Sequence, residues 1–253
     1  MITQTSPRLL LVLLAVLLTA PSTSLGQDTA GLDPRVDAIL KQMGAYLAEA
    51  EALSFHADIT TDEVLASGQM LQYGRSINVL MRRPDGIRAF VEGDQIHKRF
   101  WYDGQHITLL DTQENLYATA EAPAGIDAAL DFAMEQFGVS VPLADFVFSD
   151  PYASLTEHVT SGFYVGLHVV DGVRTHHLAL IQEEIDWQIW IEDGPQFVPR
   201  KLVITYKNLP GSPQFTALLS GWKVDLRLPD MLFTFEPPQG AEAIDFLPAY
   251  ADQ

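Results

Sequence analysis

Cysteine is absent from all 253 residues. That removes disulfide staples, thiol nucleophiles, cysteine-ligated zinc, iron–sulfur clusters and an N-terminal lipidated cysteine. Cations are scarce, with 15 Lys and Arg against 33 Asp and Glu and a formal net charge of −18. Nucleic acid is therefore not an expected partner, because phosphate-backbone binding needs a basic face. Beyond the N-terminus no apolar run approaches the roughly 18–20 residues that cross a hydrocarbon core. The phosphate-cradling signatures GxxxxGK(S/T) and GxGxxG are missing, and so are HExxH and GxSxG. No catalytic residue, metal ligand or cofactor is assigned.

What is present begins with a leader. Arg8 is the one charge in residues 1–26, an apolar core runs from Leu9 to Leu18, and Pro21, Ser24 and Gly26 follow. This is the layout of a cleavable secretory signal, with cleavage expected before Gln27. Residues 27–253 are then one exported domain in the periplasm, without a membrane anchor once the signal is removed.

The rest of the chain alternates two periodicities. Asp33-Pro34 opens a helix as N-cap and first-turn residue, and Val36, Ile39, Leu40, Met43 and Leu47 give it one apolar stripe that needs a sheet to cover. From Leu53 onward apolar and polar residues alternate with the period of a strand. Strand-like runs follow at Gln69–Met81, Ile87–Glu92, Ile96–Tyr102, His106–Asp111 and Leu116–Ala120, joined by turns short enough to force antiparallel neighbours. A helical insert of about forty residues comes next, with Ile126, Leu130, Ala133 and Phe137 on one stripe and further pieces at Pro142–Phe148 and Pro151–His158. Strands resume at Gly162–Val170, Val173–Gln182, Ile185–Glu192, Arg200–Asn208, Gln214–Asp225 and Met231–Glu236, with Asp171-Gly172 as a hairpin turn.

The expected fold is mainly β with helices: one curved antiparallel sheet of about eleven strands forming a half-open barrel, its concave side covered by the N-terminal helix and the insert. Several late strands are apolar on both faces, such as Trp187-Gln188-Ile189-Trp190-Ile191. A curved sheet with that surplus can enclose a greasy concavity, for which Trp187, Trp190, Tyr206, Phe215 and Trp222 are the candidate wall. Ile126, Leu130, Met134 and Phe137 are the candidate lid. His176-His177 point to opposite faces of a strand and so cannot hold one ion from the same side. The clustered cations Arg75, Arg82, Arg83, Arg88, Lys98 and Arg99 form a patch that could meet an anionic headgroup or an acidic partner, but the preferred expectation is that Asp85, Glu92 and Asp94 neutralise it across strands.

Several stretches, Asp33-Pro34-Arg35, Arg83-Pro84-Asp85, Arg99 to Gly104, Tyr117 to Ala120, Asp186 to Asp193 and Pro199 to Lys207, resemble an uncharacterised family of predicted periplasmic proteins, a domain-of-unknown-function family. The layout is similar to the lipoprotein-carrier fold of LolA and LolB, and to LppX and the RseB sensor domain. That resemblance implies a non-enzymatic carrier or binding protein whose partner is a lipid, an acyl chain or a lipidated protein. The alternative it leaves open is an RseB-like interaction or stress-sensing module with a filled core and a periplasmic protein partner. An unrecognised hydrolase is the third reading.

Overall fold

The structure, a computed structural model, describes residues 31–139, 141 and 143–249. The segment read as a secretion signal lies outside the described residues, as does Pro142. Helix α1 (Pro34–Glu49) starts as expected: the Asp33 carboxylate accepts the Arg35 N–H at 2.7 Å, with Pro34 in the first turn. It runs almost directly into β1 (Ala52–Val64). There follow β2 (Met70–Arg82), β3 (Gly86–Gly93), β4 (His97–Tyr102), β5 (His106–Asp111) and β6 (Leu116–Glu121). Helices α2 (Ile126–Phe137) and α3 (Pro151–Thr156) form the insert. The second meander is β7 (Ser161–Val170), β8 (Val173–Ile181), β9 (Ile185–Glu192), β10 (Pro199–Tyr206) and β11 (Gln214–Val224), and a two-residue β12 (Glu242–Ala243) comes last.

All twelve strands belong to one open sheet in the order β12-β6-β5-β4-β3-β2-β1-β11-β10-β9-β8-β7. Two antiparallel meanders thus join where β1 pairs with β11, and only β12 runs parallel to its neighbour, β6. The register sorts the side chains into two faces, since directly paired residues share a face. One inner-face row reads Phe55, Val79, Ala89, Phe100, Leu109 and Ala118 across β1 to β6. At the β7–β8 turn Asp171 and Gly172 both take positive φ, 47° and 79°, the geometry of a two-residue hairpin loop.

Helix α1 fills half of the concavity. Leu32, just before it, bridges to Gly162 at the start of β7, and its other end enters β1. Its 16 residues span about 24 Å. Five inter-strand steps from β7 to β1 add up to about the same length. The helix therefore crosses the inner face of β7–β11, burying Val36, Ile39, Leu40, Met43 and Leu47 in one core with Leu178, Trp187, Ile189 and Leu202. Gly44 lets α3 approach: a Cβ there would stand 2.8 Å from Tyr152 Cβ and 3.0 Å from its backbone nitrogen. Gly44→Val is expected to lower stability by about 1–3 kcal/mol. Thermal melts followed by circular dichroism should show the midpoint falling by roughly 3–10 °C.

Three elements differ from expectation. Met231–Glu236 is no strand: a 3-10 turn occupies Asp230–Leu232, and the period-two aromatics Phe233 and Phe235 pack on the outer face without a ladder. Phe235 sits 5.0 Å from the rings of both Trp101 and Tyr117. Pro229, Pro237 and Pro238 flank the stretch and supply no N–H for pairing. The piece expected over Pro142–Phe148 is a single 3-10 turn, Ala144–Phe146, entered from Leu143 at φ 70°. Strand β12 is too short to carry a periodicity.

Candidate functional site

With α1 over the second meander, the inner face of β1–β5 is left for α2. This helix begins without a side-chain cap at Gly125, and the Asp127 carboxylate instead accepts the backbone N–H and the hydroxyl of Ser149, tying its first turn to the approach to α3. Ile126, Ala129, Leu130 and Ala133 face inward. The helix ends at Gly138 in the left-handed region (φ 60°), whose N–H donates to Met134 O while the Val139 N–H reaches Ala133 O. That turn sends Val139, Val141, Leu143, Ala144 and Val147 back along the sheet as a second apolar wall.

Between this roof and the sheet lies a cavity of about 300 Å³. Phe55, Val79, Ile87, Ala89, Phe100 and Leu109 form its floor, and Leu130 and Phe137 hang from α2. The volume falls at the lower end of the about 300–1,000 Å³ usual for small-ligand sites. Gly138, at the C-terminal end of α2, is an exposed member of the lining. Among the described residues of its lining Lys98 alone is charged, and its Nζ lies 2.6 Å from the Asp111 carboxylate. Burial pushes the Asp111 carboxyl up, but the hydrogen bond from Lys98 and the N–H groups of Glu114 and Gln113 together hold it below the ordinary carboxylate value. Asp111 is thus kept ionised beside Lys98.

Of the residues singled out from sequence, the structure brings Leu130 and Phe137 together on the cavity. Ile126 is buried at the start of α2 and Met134 is half-buried on it, neither in the lining. Trp222 stands one layer behind, stacked on Phe55 at 4.5 Å with its indole N–H donating to Pro199 O. Trp187 is core beneath α1, and Phe215 and Tyr206 lie on the inner face at the end of β11 and β10. Trp190 is on the outer face, stacked on His177 at 3.9 Å. The floor residues of the first meander carry no mark in the sequence, because their clean alternation reads as ordinary core. The short link from α1 into β1 shows that the helix ends beside β1, but which half of the sheet it crosses follows from the β1–β11 pairing.

His176 and His177 do face opposite ways. His176 meets the Tyr164 hydroxyl, whereas the His177 Nε2 faces Gln188 Oε1 and its Nδ1 faces His168 Nδ1, each at 3.0 Å. Neutral His177 satisfies both, donating to Gln188 and accepting from His168. Burial, and the neighbouring His168 and Lys201, push its pKa below 6.5, outweighing the Gln188 hydrogen bond. The unfolded chain then takes up a proton near pH 6.5 that the folded chain resists. This contribution to stability is therefore whole above that pH and is lost as pH falls through the lower folded value. His177→Gln is expected to flatten the decline of melting temperature between about pH 7.5 and 5, as calorimetry at stepped pH would show.

No curated protein sequence matches the chain. Among solved structures, the lipoprotein LppX of Mycobacterium tuberculosis is similar over 77% of this chain and 98% of its own, at 16% identity and a TM-score of 0.47. An uncharacterized conserved protein of Thermus thermophilus aligns over 83% of this chain and 99% of its own, at 8% identity and a TM-score of 0.49. A LolA superfamily protein of Nitrosomonas europaea aligns over 78% and 96%, at 11% identity and a TM-score of 0.35. Among the described residues no helix is long and apolar enough to cross a membrane. Residues 36–247 match the family model described as predicted periplasmic protein (DUF2092), and the chain belongs to that family of periplasmic proteins.

Proposed function

We propose that the protein is a periplasmic binding or carrier protein that takes an acyl chain, free or attached to a lipid or a lipidated protein, into the cavity under α2. The observation that carries this reading is a hollow of about 300 Å³ whose walls are apolar apart from Lys98. Binding is burial without a chemical step, α2 acting as the lid. Each methylene transferred from water contributes about 0.8 kcal/mol. In a fatty-acid series titrated into delipidated protein by fluorescence displacement, affinity is expected to rise about fourfold per methylene until the cavity is full, then level off. Affinity independent of chain length would refute the reading. Native mass spectrometry of protein purified from its source reads the ligand directly.

A second reading, a periplasmic protein-interaction module, is favoured by the edge strand β7, which has Val165, Leu167 and Val169 exposed. Co-purification with a protein partner and no lipid would select it.

A further inference from the structure

The basic cluster of the first hairpins is not neutralised as its sequence suggests. Arg82 alone meets one of the three expected acids, pairing with Asp85 and also with Asp230. Glu92 holds His97, and Asp94 accepts the Gly74 N–H. Lys98 takes Asp111, and Arg83 donates to the Phe148 carbonyl.

Arg88 and Arg99 lie on the outer face over the Phe90 ring, without a carboxylate partner among the described residues, and Arg75 is the cluster's unpaired cation on the concave face. It precedes Ile77 by two residues on β2, so both side chains project from the same side of the sheet. Ile77 pairs with Val91, which pairs with Lys98, and all three line the cavity. Arg75 stands one row beyond them. Opposite it on β3 is Gly93, which offers no side chain. Among the described residues its guanidinium has no hydrogen bond and no carboxylate partner; the Phe215 ring centroid lies 5.9 Å away, and Tyr206 is near enough to act on its charge. Burial lowers its pKa from the ordinary arginine value, as happens to a cation short of counter-charge. In the adjoining inner-face row, where Thr61 pairs with Tyr73 and Phe215, the Thr61 hydroxyl is also buried without a partner.

A half-buried cation and a buried hydroxyl without partners are each destabilising in the empty protein. In a chain with 33 carboxylates, leaving that arginine unpaired beside an apolar hollow calls for an outside anion. We propose that Arg75, with the Thr61 hydroxyl beside it, receives the anionic headgroup of the amphiphile whose tail fills the cavity. The ligand class is a single-tailed carboxylate or phosphate monoester. This inference rests on the cavity reading above and adds the polar end to it.

The test compares dodecanoate, dodecyl phosphate and dodecanol as competitors on the delipidated protein, in the wild type and in Arg75→Gln and Arg75→Lys. A hydrogen-bonded charge pair predicts that at least one of the two anions binds about tenfold or more tightly than the alcohol in the wild type. Arg75→Gln is expected to erase that preference with dodecanol affinity unchanged, which also reports an intact fold, and Arg75→Lys to keep part of it. The two anion arms tell a carboxylate ligand from a phosphate. Dodecanol binding with no anion preference in the wild type, or a preference undiminished in Arg75→Gln, overturns the headgroup site and spares the cavity. Failure of all three amphiphiles to bind the wild type overturns the cavity reading and this one with it.

Discussion

Replacing Ala89 by Phe is expected to weaken acyl-chain binding on the order of 100-fold while leaving the protein folded. Ala89 lies on the inner face of β3 between Val79 and Phe100 in the row that floors the cavity. The phenyl ring added there enters empty space rather than packed core, so the usual penalty of overfilling does not apply. The ring displaces ligand in proportion to its size. Excluding about four methylenes at about 0.8 kcal/mol each removes about 3 kcal/mol. That corresponds to a loss of affinity on the order of 100-fold. Titration of the same fatty-acid series into Ala89→Phe measures it, with thermal melts as the control. A variant that melts like the wild type and binds as well would place the ligand elsewhere.

The second large effect is on stability. Trp222→Ala is expected to cost about 3–5 kcal/mol, the range for removing a buried large aromatic. Its ring stacks on Phe55 and meets Phe146 edge-on at 6.5 Å, and its N–H satisfies Pro199 O inside the protein. A fall in melting midpoint of roughly 8–15 °C is the expected reading. Trp222→Phe separates the two contributions. It keeps an aromatic on Phe55 but leaves the Pro199 carbonyl without its donor, for about 1–3 kcal/mol. Because Phe55 floors the cavity, Trp222→Ala is also expected to weaken acyl binding, through the wall and not through contact.

The two meanders, both long helices and the hairpin at Asp171-Gly172 were legible because each carries a local signal. Caps, glycines in the left-handed region and period-two alternation are properties of neighbouring residues. The candidate site was legible only in part. Leu130 and Phe137 lie on one stripe of a helix whose inward face follows from its own periodicity. Trp187, Trp190 and Phe215 drew notice as surplus apolar surface, but which half of the sheet α1 fills depends on the β1–β11 pairing, and no local pattern encodes that. Phe233 and Phe235 show the reverse problem. Their alternation is genuine, yet alternation says only that one side is buried, and here the buried side lies on the outer face of the sheet without a strand to pair with.

The β1–β11 seam also dictates the order in which the molecule can be assembled. The bond from the Gln214 N–H to the Asp62 carboxylate spans 152 positions, whereas every other pairing except that of β12 joins consecutive strands. A chain emerging N-terminus first can complete the β1–β6 meander and its α2 roof early, from contacts close in sequence. Helix α1 has no sheet of its own to rest on until β7–β11 arrive, so its stripe of Val36, Ile39, Leu40, Met43 and Leu47 waits exposed. The half that holds the hollow can thus be complete before the solid half has emerged. Secretion burdens this fold most during the interval before the seam closes, when a long greasy helix precedes its cover.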